Sequence, residues 1–308
     1  MAEYLNARML AKISRLDLRA KYVVEGFISG MHKSPYRGHS VEFAQHRGYV
    51  PGDDLRHLDW KVWGKSERYY IKQYEAETNL VTTILLDVSE SMAYRGKAAA
   101  EGLSKLDYAK LAAAALSYFV LQQSDAVAMG VFAEQMQDFA PRSTRLVHIN
   151  RICQMLDNAS PGGNTNVSAI LHKVAAETPR RGIIFLISDL FEDADALLGA
   201  LGHLRHIGHE VVVMQVLDND ELEFPFAGMT QFRGLELPAR VLCNPRAIKK
   251  AYLEALQRHE TRVRAACQRN GVDYFLANTK TPVDVALVAY LAKRQQMAGA
   301  GVRRGAMG

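Results

Sequence analysis

Cysteine is scarce in this chain of 308 residues, and its three copies do not cooperate. Cys153, Cys243 and Cys267 are far apart and odd in number, so neither a disulfide framework nor a Cys-x-x-Cys metal site follows, and a reducing compartment is the expectation. Long apolar runs are lacking too. The longest, around Leu111 to Leu121, is too short and too rich in alanine to span a bilayer. The amino-terminal stretch MAEYLNARMLAKISRLDLRAKYVV carries charges throughout and has no apolar centre of the kind a signal peptide needs. No membrane span and a soluble, cytoplasmic protein are therefore expected. The net charge of +5 is modest and the charges are interspersed, so no nucleic-acid partner is expected.

Familiar catalytic signatures are missing as well. There is no Gly-x-Ser-x-Gly elbow and no glycine-rich phosphate loop of the Walker type. What the chain does have is ordinary globular composition, 48% hydrophobic and 23% charged, with enough length for one large domain or two ordinary ones.

The chain is organised around TTILLDVSESM, Thr82 to Met92. A run of apolar and β-branched residues up to Leu86 reads as a strand buried on both faces. It ends abruptly in Asp87, followed by Ser89 and Ser91. Ligands of open α/β sheets bind just past the carboxyl ends of the strands, so these three oxygen-bearing side chains fall at the ligand edge. The pattern Asp-x-Ser-x-Ser after a buried strand resembles the first loop of the metal-ion-dependent adhesion site of von Willebrand factor A domains.

Before that strand lie one or two amphipathic helices within Glu3 to Phe27, a polar loop from Ser29 to Ser40, and a charged, aromatic stretch from Gly38 to Glu75. There Arg47, Asp53, Asp54, Arg56 and Asp59 lie close to Tyr49, Trp60 and Trp63. They suit a network of Arg–carboxylate bonds under aromatics, an internal staple for the amino-terminal segment. A strand is expected over Arg68 to Gln73. Beyond Met92 come a helix (Leu106 to Gln123), a strand (Ala126 to Phe132), a helix (Thr144 to Asn158), a turn (Ser160 to Asn166) and a helix (Val167 to Glu177). A second buried strand, Gly182 to Ser188, stops at Asp189. A helix (Ala194 to His206) and a strand (Glu210 to Leu217) follow.

This alternation predicts an α/β fold: a doubly wound, mostly parallel sheet with helices on both faces. The pattern breaks over 218–244, which reads as a loop and small hairpin inserted into the core. Pro245 then opens a long helix to Arg269, followed by a strand (Val272 to Ala277), a helix (Val283 to Arg294) and a flexible tail. The expected organisation is an amino-terminal helical and loop segment over 1–78 packed on the sheet, the α/β domain over 79–295, and the tail over 296–308.

Oxygen donors thus gather at one sheet edge: Asp87, Ser89 and Ser91, then Thr165 in the glycine turn, then Asp189. Asn164, beside Thr165, is an alternative donor. Such a set, low in protein charge and completed by waters, is what Mg2+ (or Mn2+) accepts. A haloacid-dehalogenase-type phosphatase would need a second aspartate where Ser89 stands, so no catalytic residue and no enzyme are expected. His203, His206 and His209 are three residues apart, but Gly208 breaks the helix, and solvated or partly packed histidines are expected rather than a zinc site.

Two groups of stretches are similar to the domain of unknown function 58 family, bacterial proteins with a von Willebrand factor A-like domain. One is GHSVEFAQHRGYVPGDDLRHLDWKVWGKSERYYIKQYE; the other comprises LLDVSESM, GGNTNVSAIL and LISDLFED. The chain departs from the family's pattern at Trp63-Gly64-Lys65, where Ala-Arg is common. The resemblance implies a von Willebrand factor A-like fold and the metal residues Asp87, Ser89, Ser91, Thr165 and Asp189. It also implies work with a MoxR-type AAA+ ATPase, and with other von Willebrand factor A-like proteins, in assembling or maturing a protein complex. The expected function is metal-dependent protein binding, with the cation completed by an Asp or Glu of the partner. The alternatives are a scaffold protein whose metal site is vestigial and which binds through the Arg47–Trp60 segment and, more remotely, a metal-dependent hydrolase.

Overall fold

The computed structural model describes residues 16–31, 46–48, 63–64, 69–72, 81–178, 181–235, 240–292 and 294. The chain divides into two compact units, one of Met1–Gly30 with Leu80–Gly308 and one of Met31–Asn79. In the smaller unit, β1 (His46–Gly48) pairs antiparallel with β2 (Tyr70–Lys72), Arg47 opposite Ile71. β2 lies within the strand expected over Arg68 to Gln73. The carboxylates Asp53, Asp54 and Asp59, with Arg56, fall outside the described residues.

The larger unit is built on a six-stranded sheet in the order β10-β7-β6-β3-β4-β5. Its strands are β3 (Val81–Asp87), β4 (Ala126–Phe132), β5 (Met136–Ser143), β6 (Gly182–Ser188), β7 (Glu210–Leu217) and β10 (Asp273–Asn278). All pairs are parallel except β4 with β5, so the mixed, mostly parallel α/β sheet is as the sequence pattern predicts. β3 sits between β4 and β6 with Ile84 and Leu86 on one face and Leu85 on the other, the period of two that sends alternate side chains into opposite cores.

Helices cover both faces. α1 (Leu16–Met31), α2 (Lys105–Gln122) and α3 (His148–Asn158) pack on the first core, and α4 (Val167–Glu177), α5 (Ala194–Ile207) and α7 (Pro245–Arg269) on the second. Ala109, Ala112, Ala113 and Ala115 of α2 are buried, and their small side chains let that helix lie close to the sheet. A last helix spans residues 283–292.

Two elements differ from expectation. The edge strand β5 carries Pro141 and mostly exposed residues; it lacks the buried-strand pattern and is held by antiparallel pairing to β4. The inserted segment is more ordered than a loop with a hairpin. It opens with a short helix α6 (Asn219–Glu223) and continues to β8 (Thr230–Arg233) and β9 (Arg240–Cys243), an antiparallel pair.

Candidate functional site

The carboxyl end of β3 places Asp87 in the middle of the sheet, between the ends of β4 and β6, and the side chain is wholly buried. Both carboxylate oxygens are engaged. Oδ1 accepts the Ser89 amide at 2.9 Å; Oδ2 accepts the hydroxyls of Thr165 at 2.8 Å and Ser188 at 2.6 Å. The Ser89 and Ser91 hydroxyls lie 3.1 Å apart in a hydrogen bond. Asp87, Ser89, Ser91 and Thr165 are therefore joined in one network, closed over inside at Asp87 and Ser89 and half-exposed at Ser91 and Thr165.

Backbone bonds fix the meeting of these two loops. Gly162 donates to the Val88 carbonyl at 2.9 Å, and Glu90 donates to the Gly163 carbonyl at 3.1 Å. Gly163 has a φ of +77°, a conformation that a side chain would strain, which suits glycine at this turn. Asn166 then caps α4 by accepting the Ala169 amide, leaving Thr165 aimed at Asp87. Asn164 is exposed, and of the two candidate oxygens at the turn it is Thr165 that meets Asp87.

Asp189 takes a different position. Its charge is near enough to act on Asp87, but its Oδ2 accepts the Lys105 ammonium at 2.9 Å, and both side chains are wholly buried. Lys105 also reaches Glu221 Oε1 at 2.8 Å and lies 5.0 Å from the centre of the Phe191 ring. The turn after β6 is pinned from several sides. The Ser188 hydroxyl accepts the Leu190 amide, Gln215 donates to the Asp189 carbonyl, and the Leu190 carbonyl bonds His259 Nε2. Leu190 holds a φ of 59°, unusual for a branched residue and sustained by these contacts.

Burial and charge together explain the local ionisation. Burial, then the Asp189 charge, pushes the Asp87 carboxyl up from 3.8 to about 6, against the hydrogen bonds from Ser188, Ser89 and Thr165. Burial alone would push Lys105 down, but Asp189 and Glu221 reverse this and hold it at about 12. Glu221 is raised chiefly by its own burial, against the pull of Lys105.

Three functional residues escaped the sequence reading. Ser188 carries the same signal as Asp87, a polar residue ending a buried apolar strand. Lys105 gives no such signal: it is the first residue of α2, inside the Ser104–Asp107 capping box, where a cation is opposed by the helix dipole. Glu221 lies on α6, and only the topology brings it to Lys105. The neighbouring acids are spoken for: Asp218 accepts from Thr279 and the Gly96 amide, and Asp220 from Tyr94 and the Lys97 amide.

The donor set fits a hard divalent cation. Asp87, Ser89, Ser91 and Thr165 offer oxygens only, and the Lys105 ammonium pairs with Asp189 and Glu221 rather than with Asp87. Among the described residues no group of three or more His, Cys, Asp or Glu side chains is placed to hold a metal by itself, so a cation here would need hydroxyl ligands. The histidines do not form a zinc site there either. His203 meets His172, ring nitrogens 3.1 Å apart, while buried His209 bonds the Thr178 carbonyl. No helix of the described residues is long and apolar enough to cross a membrane.

An uncharacterized protein of Mycobacterium bovis is 24% identical over 303 residues, covering 96% of this chain and 92% of its own length; one of Mycobacterium tuberculosis matches equally. Among solved structures, the conserved hypothetical protein BatB of Bacteroides thetaiotaomicron is 18% identical with a TM-score of 0.49, covering 70% of this chain and 99% of BatB. The SpRpn10 VWA domain is 12% identical with a TM-score of 0.42, covering 68% of this chain and 93% of that domain. The family model described as "Protein of unknown function DUF58" matches residues 45–262, and by that match the chain belongs to the DUF58 family.

Proposed function

We propose that this chain is a protein-interaction module whose sheet edge holds Mg2+ or Mn2+ and, through it, a carboxylate of a partner protein. The observation that carries the reading is the hydrogen-bonded set Asp87, Ser89, Ser91 and Thr165 at the end of the central strand, buried at the back and half-exposed at the front. Asp87 supplies the anionic oxygen, and Ser89, Ser91 and Thr165 supply neutral ones. A cation held this way keeps coordination positions for water or an incoming Asp or Glu, because Mg2+ sites take few protein carboxylates.

Asp189 acts from behind in this reading. Its carboxylate, tied to Lys105, adds negative potential at the site without standing free to ligate. The family resemblance makes a MoxR-type AAA+ ATPase the first partner to test, with other von Willebrand factor A-like proteins next; a cytoplasmic encounter is part of the proposal. The test is capture of such an ATPase by the full chain in Mg2+ and in EDTA. The reading expects capture in Mg2+ alone, lost in a folded Asp87→Ala variant. Partner capture that ignores both EDTA and Asp87→Ala contradicts the metal-dependent reading.

A further inference from the structure

The segment between β7 and α7 takes no part in the oxygen network, yet it builds a wall beside it. Phe224, buried at the turn after α6, has ring neighbours in Tyr252 at 4.6 Å, Phe226 at 5.1 Å and Phe232 at 5.6 Å. Phe226 and Phe232 also meet edge-on at 5.3 Å. These rings line a cleft of about 380 Å³. Ser91, one of the hydroxyls of the oxygen network, lines the same cleft, so the apolar hollow begins where the network opens to solvent. Phe191 and Leu235 edge it, 37% and 43% exposed.

The charges around the cleft point to its occupant. Asp220 and Glu221 reach its wall, but Asp220 is bonded by Tyr94 and Lys97, and Glu221 by Lys105. The Lys105 ammonium meets the charge of Glu221, whereas Asp220 receives neutral donors, the Tyr94 hydroxyl and the Lys97 backbone amide. At the hairpin, Arg233 lines the cleft and stands directly opposite Arg240, both exposed. Neither forms an ion pair with a described residue. Like charges facing each other across a strand pair repel, and an anion between them removes the cost.

We propose that the cleft receives a bulky apolar side chain of an acidic partner segment, the same segment whose carboxylate reaches the site at Ser91. The partner motif is an Asp or Glu with a Phe or Leu one to three residues away, about 3.5 Å of chain per residue, and a further acidic residue for Arg233 and Arg240. This deepens the metal-site reading and rests on it. It also gives the inserted segment its role: the carboxylate selects the site, and the aromatic cleft selects among carboxylate-bearing segments.

The test is calorimetric titration of the full chain with capped peptides Gly-Asp-Gly-Phe-Glu, and versions with no or two glycines between Asp and Phe, in Mg2+ and in EDTA. Counterparts carry Ala for Phe or Asn for Asp. The best-spaced peptide should bind about tenfold tighter than its Ala counterpart, the worth of one buried aromatic side chain at an open cleft. Leu235→Asp, a change at an exposed position, should abolish that preference while leaving the Asp preference and the Mg2+ requirement. Arg233→Glu should weaken the Glu-bearing peptides several-fold. Equal binding of Phe and Ala peptides at every spacing, with the Mg2+-dependent Asp preference kept, overturns the cleft and supports the metal site. A Phe preference that ignores EDTA and the Asn substitution supports apolar docking and overturns the metal reading. Self-association of the chain that these peptides displace overturns the proposal in favour of a second copy as occupant.

Discussion

Lys105 and Asp189, at the start of α2 and just past the end of β6, meet as a wholly buried ion pair with 2.9 Å between nitrogen and oxygen. The lysine shares its charge with Glu221 at 2.8 Å, which ties the turn after β6 and helix α6 to one ammonium. A buried charge is tolerated only when its partners are in place. The Lys105 ammonium therefore holds Asp189 in place beside Asp87.

Removing that ammonium should be costly. Lys105→Met leaves wholly buried Asp189 and partly buried Glu221 with no cation, and breaking such a pair from one side costs about 3–5 kcal/mol. Urea unfolding in EDTA should show a loss of that order. Because the freed carboxylate adds to the local negative charge, Mg2+ should raise the melting temperature of the variant by more than it raises that of the parent. A variant as stable as the parent would show that the pair contributes little.

Asp87 sets a pH dependence with a definite sign. Its carboxyl lies at about 6 in the folded chain against 3.8 as the ordinary value, so the protonated form is the one that folding favours. Its contribution to stability is fully present below 3.8 and is lost as pH rises through about 6. The loss is on the order of 2–3 kcal/mol. In EDTA, Asp87→Asn should lack this part of the decline and be more stable than the parent at neutral pH. Mg2+ should restore the parent there and leave the variant unmoved. Denaturant titrations across that range check both statements.

The turn before α4 offers a sharper contrast. Thr165 donates its hydroxyl to Asp87 at 2.8 Å, whereas the neighbouring Asn164 is exposed. Thr165→Ala should weaken Mg2+ binding about tenfold or more, the scale seen when a partner of a metal site is lost. Asn164→Ala should leave it unchanged. Calorimetry on the two variants separates them, and a reversal would move the site toward Asn164.

Much of this was legible in the sequence because parallel strands buried on both faces leave continuous apolar runs, and each run stops where the ligand edge begins. TTILLD and GIIFLISD thus located Asp87 and Asp189 before any coordinates. The edge strand β5 left no such trace: Pro141 and its exposed residues read as loop, and only pairing with β4 makes it a strand. Lys105 was invisible for another reason. A lysine opening a helix reads as solvated, and its burial depends on Asp189 and Glu221 arriving from positions 84 and 116 residues away. The aromatic cleft was hidden likewise, since Phe224, Phe232 and Tyr252 belong to a turn, a hairpin and a helix that meet only in three dimensions.

The central claim is that Asp87, Ser89, Ser91 and Thr165 hold a divalent cation, and the most direct measurement is Mn2+ titration of the full chain followed by electron paramagnetic resonance. The account predicts one saturable site per chain, displaced by Mg2+ and lost in an Asp87→Ala variant whose circular dichroism matches the parent. Mn2+ binding that is unchanged by Asp87→Ala, or the absence of any saturable site in the parent, would contradict it.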